Sequence, residues 1–163
     1  MNYQFKDLSA EEYQQLVDAV PMIALLIAGA DDHVDLKEHT WAEKIVKIRS
    51  YHNAFDLKAY YKDVDSQFSG LFERLIAEMP TDANVRCEEL SRRLSGINAI
   101  MKKLPMRTSS QLYNSFLSYA DQIARSSGGF LRMMAVSREE VAWVGLPMID
   151  PIFFDELEDE EEE

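Results

Sequence analysis

Apolar residues recur every three or four positions along almost the whole chain, and most runs open on a capping residue or close near Gly or Pro. That spacing keeps one face of an α-helix apolar, whereas a strand would need strict alternation. Ser9-Ala10-Glu11-Glu12 has the capping-box pattern, in which the hydroxyl and the carboxylate each satisfy an orphan backbone N–H. It predicts a helix to about Val20, with Tyr13, Leu16, Val17 and Val20 on one face. Pro21 then kinks that helix or opens a new one, because it has no N–H to give. The apolar run Met22–Ala30 follows. Asp35, with Glu38 three residues on, caps a helix carrying Trp41, Ile45, Ile48 and His52 at helical spacing. Asp56 opens the next, which runs to Met79 and stops at Pro80, with a soft spot at Ser69-Gly70.

Thr81 or Asp82 opens a helix through Val85, Leu90, Leu94 and Ile97 to about Lys103, whose cations suit a negative C-terminal end. Thr108 opens another, with Leu112, Phe116, Tyr119, Ile123 and Ala124 in register, closed by Ser126-Ser127-Gly128-Gly129. Ser137-Arg138-Glu139-Glu140 caps a last helix through Val144. Only 6 Gly and 5 Pro in 163 residues disfavour a turn-rich β fold. The expectation is one all-α domain over residues 1–154, a bundle of about seven helices, followed by an acidic tail at 155–163 expected to be disordered.

Charge narrows the partners. Of the formal −12, eight negative charges lie between Asp155 and Glu163, leaving −4 for the rest. No basic stripe is present to neutralise phosphates, so nucleic acid is excluded as a partner. Cys87 stands alone and cannot form an intrachain disulfide. The start, MNYQFKDLSAEE, lacks the basic-then-apolar order of a signal peptide, and Ala19–Ala30 is too short to span a bilayer. These readings point to a cytoplasmic protein without direct membrane insertion.

Two segments repeat a theme. Ala24–Ala28, a polar turn, then Asp35, Glu38 and Trp41 is echoed by Ala120–Ala124, a turn, then Ser137, Glu140 and Trp143. The offset is 96 residues before the turn and 102 after it, so the second copy is longer by six. The bundle is therefore expected to contain a duplicated helix-turn-helix pair, with Glu38 and Glu140 in equivalent places.

The segment Asp31–Glu38 holds four carboxylates in eight residues. Hard divalent cations such as Ca²⁺ or Mg²⁺ take several oxygen ligands, which a turn between helices can supply. Asp31 closes an apolar helix where the dipole disfavours a carboxylate, and a cation there would offset that cost. The segment is not an EF-hand, since Leu36 and Ala42 stand where Gly and Glu are required. His33 and His39 are too far apart to share one helical face as a zincin pair does. A second reading stays open: Asp35 and Glu38 are fully explained as a capping box, leaving the acids as caps and surface charge.

The string Ala24-Leu-Leu-Ile-Ala-Gly-Ala-Asp31-Asp-His-Val-Asp-Leu-Lys-Glu38 resembles the TerB-like (tellurite-resistance) family. That family combines a small-residue helix, an Asp-Gly-His-type turn and a Glu opening the next helix. Asp31 matches its Asp and Glu38 its Glu; Asp32 replaces its Gly, adding a candidate ligand. In the second copy the turn is Ser127-Gly128-Gly129-Phe130, without the acid, while Glu140 remains. The resemblance implies an all-α fold of about seven helices and an acidic metal site. It also implies a role in bacterial stress or metal-linked complexes, often near membranes. The candidate metal ligands are Asp31, Asp32, Asp35, Glu38 and Glu140, with no catalytic residue and a protein partner expected. The alternative is an interaction scaffold in which the acidic turn is only capping.

No phosphate loop, Cys pair or nucleophile elbow is present, so no enzyme is expected. Cys87, beside Glu88 and Glu89, reads as a buried or inert thiol. Leu131–Val136 reads as packed core or a partner-binding loop. Pro147–Phe154 is apolar enough to pack across the body or to serve as a docking segment.

Overall fold

A computed structural model describes residues 3–29, 36–52, 57–126 and 143–154. Every regular element among them is helical: a 3₁₀ turn, Tyr3–Phe5, then α1 (Ala10–Ala28), α2 (Leu36–His52), α3 (Lys58–Glu78), α4 (Ala83–Ser95), α5 (Asn98–Met101) and α6 (Met106–Ser126). The helix expected to start at Ser137 lies outside the described residues except for Trp143 and Val144.

α1 is the axis of the bundle and packs against α2, α3, α4 and α6. Its capping box forms as expected: Glu12 N–H donates to Ser9 Oγ at 3.1 Å, and Ser9 N–H to Glu12 Oε1 at 3.0 Å. Glu12 also accepts from Lys103 at 2.6 Å. That ammonium, with the Ser9 amide, holds its carboxyl below the usual carboxylate range. Pro21 lies within the helix and does not end it. A mid-helix proline costs about 3 kcal/mol. Val20, Ile23, Leu25, Leu26 and Ile27 are all 0–1% exposed around it. Burying each contributes about 1.5–3 kcal/mol, so tertiary packing outweighs the lost bond. α3 is likewise unbroken through Ser69-Gly70.

Asp82 caps α4, accepting from Val85 N–H at 3.0 Å. The helix expected to reach Lys103 stops at Ser95, and the chain turns at Gly96-Ile97 into the single turn of α5. α6 begins at Met106, two residues before Thr108. Leu112, Phe116, Tyr119, Ile123 and Ala124 are all buried, as their register predicts.

In two helices part of the expected stripe is exposed, although Ile45, Leu90, Leu94 and Ile97 are buried as their spacing predicts. In α4 the inward stripe is Ala83, Arg86, Cys87, Leu90 and Leu94, while Val85 is 50% exposed. In α2 the buried positions include Ala42, Ile45 and Val46, whereas Trp41 and Ile48, read as core, are 40% and 47% exposed. In both cases an arginine reaches inward, to partners that apolar periodicity does not register.

Among the described residues no helix is long and apolar enough to cross a membrane. Cys87 is buried with Sγ 3.9 Å from Leu26 O, in line with a packed thiol.

Candidate functional site

Of the five candidate ligands, Asp31, Asp32, Asp35 and Glu140 lie outside the described residues. Glu38 falls in the first turn of α2, and its side chain is also outside that set. The end of α1 at Ala28 and the start of α2 at Leu36 put Asp31, Asp32 and Asp35 in the connection between them. Among the described residues no group of three or more His, Cys, Asp or Glu side chains could hold a metal ion.

The charge at the C-terminal end of α1 is met by a side chain. Arg86, 7% exposed, donates through Nη2 to Gly29 O, the cap carbonyl of α1. Its Nη1 reaches Thr81 O at 3.1 Å and Pro80 O at 3.4 Å. The guanidinium thus ties the end of α1 to the turn before α4 and sets a permanent positive charge against the negative helix end. Gly29 makes room for it, because a Cβ there would lie 3.0 Å from both Arg86 Nε and Nη2. The Nε itself is buried without a hydrogen-bond partner among the described residues. The cation expected at this end of α1 on dipole grounds is therefore supplied by the protein, whatever the adjoining acids bind.

α2 has two faces of different character. Inward, Arg49 crosses to α6, where Nη1 donates to Ser115 O and Oγ, both at 2.8 Å. Its Nη2 reaches Ser118 Oγ at 3.1 Å and Gln122 Oε1 at 2.8 Å. The same group lies over the rings of Tyr61 and Tyr119 at 5.5 and 5.4 Å. Tyr119 donates to Ala42 O at 3.1 Å, and burial pushes its phenol well above the ordinary range, against the pull of Arg49. These bonds fix the rotation of α2.

Outward, Trp41, Lys44, Ile48 and Tyr51 follow one another at intervals of three, four and three residues, so they form a single seam. Tyr51 is 62% exposed. Lys44 Nζ sits 5.4 Å from the Trp41 ring centre, and exposed Lys47 flanks the seam. Trp41, Ile48 and Tyr51 thus form one row of large side chains on an exposed helix face. Trp143, the counterpart of Trp41 in the sequence repeat, is instead half-buried against the core.

The C-terminal segment packs across the body as far as Ile152. Leu146, with φ of 46°, and Ile149 are 0% and 1% exposed. Asn98 clamps this backbone with both ends of its amide: Nδ2 donates to Met148 O, and Asp150 N–H donates to Oδ1, each at 2.9 Å. Beyond this clamp Phe153 is 86% exposed, at the rim of a cleft of about 320 Å³ lined by Met101, Leu104 and Met106.

Sequence reasoning missed Arg86, although it stands one residue before Cys87 on the stripe shared with Leu90 and Leu94. A charged residue on an apolar stripe is the signal that could have found it. It also missed the outward seam of α2, by assigning Trp41 and Ile48 to the core. No family model, no curated protein and no solved structure matches this chain.

Proposed function

We propose that this chain is a non-enzymatic protein-interaction module whose docking face is the outer seam of α2. The observation that carries the reading is the seam itself, Trp41, Ile48 and Tyr51 in one exposed row beside Lys44 and Lys47. Arg49 turns α2 so that this row faces solvent, so the exposure is built into the packing. The test is a photo-crosslinking residue at position 48, with position 62, exposed on α3, as control. The reading expects a discrete protein adduct from position 48 and none from position 62. Loss of that contrast would refute it.

A second reading keeps the sequence expectation of a TerB-like metal module tied to a bacterial stress response in a membrane-associated complex. It takes Asp31, Asp32, Asp35, Glu38 and Glu140 as ligands to Ca²⁺ or Mg²⁺, in a layout of about seven helices with a duplicated pair. The placement of Asp31, Asp32 and Asp35 between α1 and α2, with Glu38 in the first turn of α2, favours it, because such a connection can wrap a hard cation. Arg86 at Gly29 weighs against it by raising the local positive potential. Isothermal titration with each metal separates the two readings. Millimolar Ca²⁺ or Mg²⁺ should give no heat under the first and a saturable signal, lost in Asp31→Asn, under the second.

A further inference from the structure

We propose that the outer seam of α2 receives the C-terminal acidic-aromatic segment, from Phe153 onward, of a second copy of this chain, the two copies exchanging segments. The inference rests on the reading of that seam as a docking face. The seam is apolar and basic, with Trp41, Ile48 and Tyr51 accompanied by Lys44 and Lys47. The segment is its complement. Residues 153–163 supply Phe153, Phe154 and Leu157 together with eight acids and no base. Opposite charges around an apolar centre give an interface its register and partner choice.

The anchoring of the segment points the same way. Asn98 holds the backbone at Met148 and Asp150, while Leu146 and Ile149 are buried. Past that fixed point Phe153 projects into solvent, although an aromatic ring stabilises a protein most when it is covered.

Geometry selects the second copy. The segment is pinned beside α5 and the first residue of α6, at Asn98, Met101 and Met106. α2 presents Ala42 and Arg49 to α6, so its seam points to the opposite side. A seam turned away from α6, beside which the segment is anchored, favours a facing copy's segment over the chain's own. Reciprocal exchange is isologous and closes on itself, with two equivalent contacts per pair. The net charge of −12 on each copy opposes pairing at long range. Screening over about 8 Å at physiological salt leaves the local match of lysines and acids to decide.

Sedimentation velocity on the full chain, from micromolar to submillimolar, tests the proposal. It expects a monomer–dimer equilibrium whose dissociation constant rises at least about tenfold in Ile48→Glu and in Phe153→Ser. Neither substitution removes a core side chain, so both variants should keep the parent unfolding midpoint. Mixing the two variants should restore pairing through one exchange, because Ile48→Glu keeps the segment and Phe153→Ser keeps the seam. Pairing that survives both substitutions overturns the proposal, as does a mixture that fails to pair. So does a full chain that stays monomeric while Phe153→Ser alters Trp41 emission at every concentration, which would place the segment on its own seam. If the crosslinker at position 48 captures another protein and the chain remains monomeric, the docking face survives and self-pairing falls. If position 48 gives no adduct, both fall.

Discussion

Adding one methyl group at Gly29 tests how the end of α1 is built. The backbone there, φ −92° and ψ 4°, is open to alanine. Restricting the unfolded chain would alone stabilise the protein by about 0.4–1 kcal/mol. Two effects oppose this. The new Cβ would sit 2.7 Å from Leu25 O, which is backbone, and 3.0 Å from two guanidinium nitrogens of Arg86. Overpacking of this kind costs about 1–3 kcal/mol. Relief requires Arg86 to withdraw from Gly29 O, forfeiting a charged hydrogen bond worth about 1.5–3 kcal/mol. Gly29→Ala should therefore lose about 2–4 kcal/mol, read as a lower urea midpoint at unchanged slope. In an Arg86→Met background the hydrogen bond is already gone, so the same substitution should cost at least about 1 kcal/mol less. A Gly29→Ala protein as stable as the parent, or a cost unchanged in the Arg86→Met background, would refute this account of the helix end.

The two faces of α2 should respond unequally to truncation. Ile45→Ala, in the core, should cost about 2–5 kcal/mol, while Ile48→Ala one turn on should stay within about 1 kcal/mol by chemical denaturation. Three tyrosines should resist ionisation. Burial raises Tyr13, with Asp63 accepting its hydroxyl as the second cause, and burial likewise raises Tyr60 and Tyr119. Because these folded values lie above the unfolded one, their contribution is complete below about pH 10 and is lost as pH rises through them. Phenolate absorbance should thus show at least three of the 7 tyrosines ionising only together with alkaline unfolding. Gradual ionisation of all seven in the folded state would contradict that.

The helices were legible where a single apolar stripe governs. The capping box at Ser9, the cap at Asp82 and the five buried positions of α6 follow directly from sequence spacing. Trp41, Ile48 and Val85 were misplaced because periodicity ranks them above Ala42 and Arg86 as core residues, while Ile45, Leu90, Leu94 and Ile97 are buried as expected. Arg49 and Arg86 make inward hydrogen bonds that involve backbone carbonyls of distant elements, Ser115 O and Gly29 O, and no local pattern encodes such partners. Pro21 reads locally as a breaker, and only tertiary burial explains its place inside α1. As to the site, the sequence drew attention to the α1–α2 connection and the structure describes its two ends. The seam stayed hidden because a solvent-facing Trp or Ile looks like core until the rotation of its helix is known.

Exposure of the α2 seam to a partner is read most directly from the two tryptophan indole signals. Trp41 lies on the seam and Trp143 is packed on the core, so one chain carries both probe and control. In ¹H–¹⁵N spectra recorded on dilution from submillimolar to micromolar, the Trp41 indole peak should move while that of Trp143 stays fixed. Ile48→Glu should abolish the movement. Two stationary peaks across the whole range, or equal movement of both, would contradict the claim that α2 offers a docking face to a second copy.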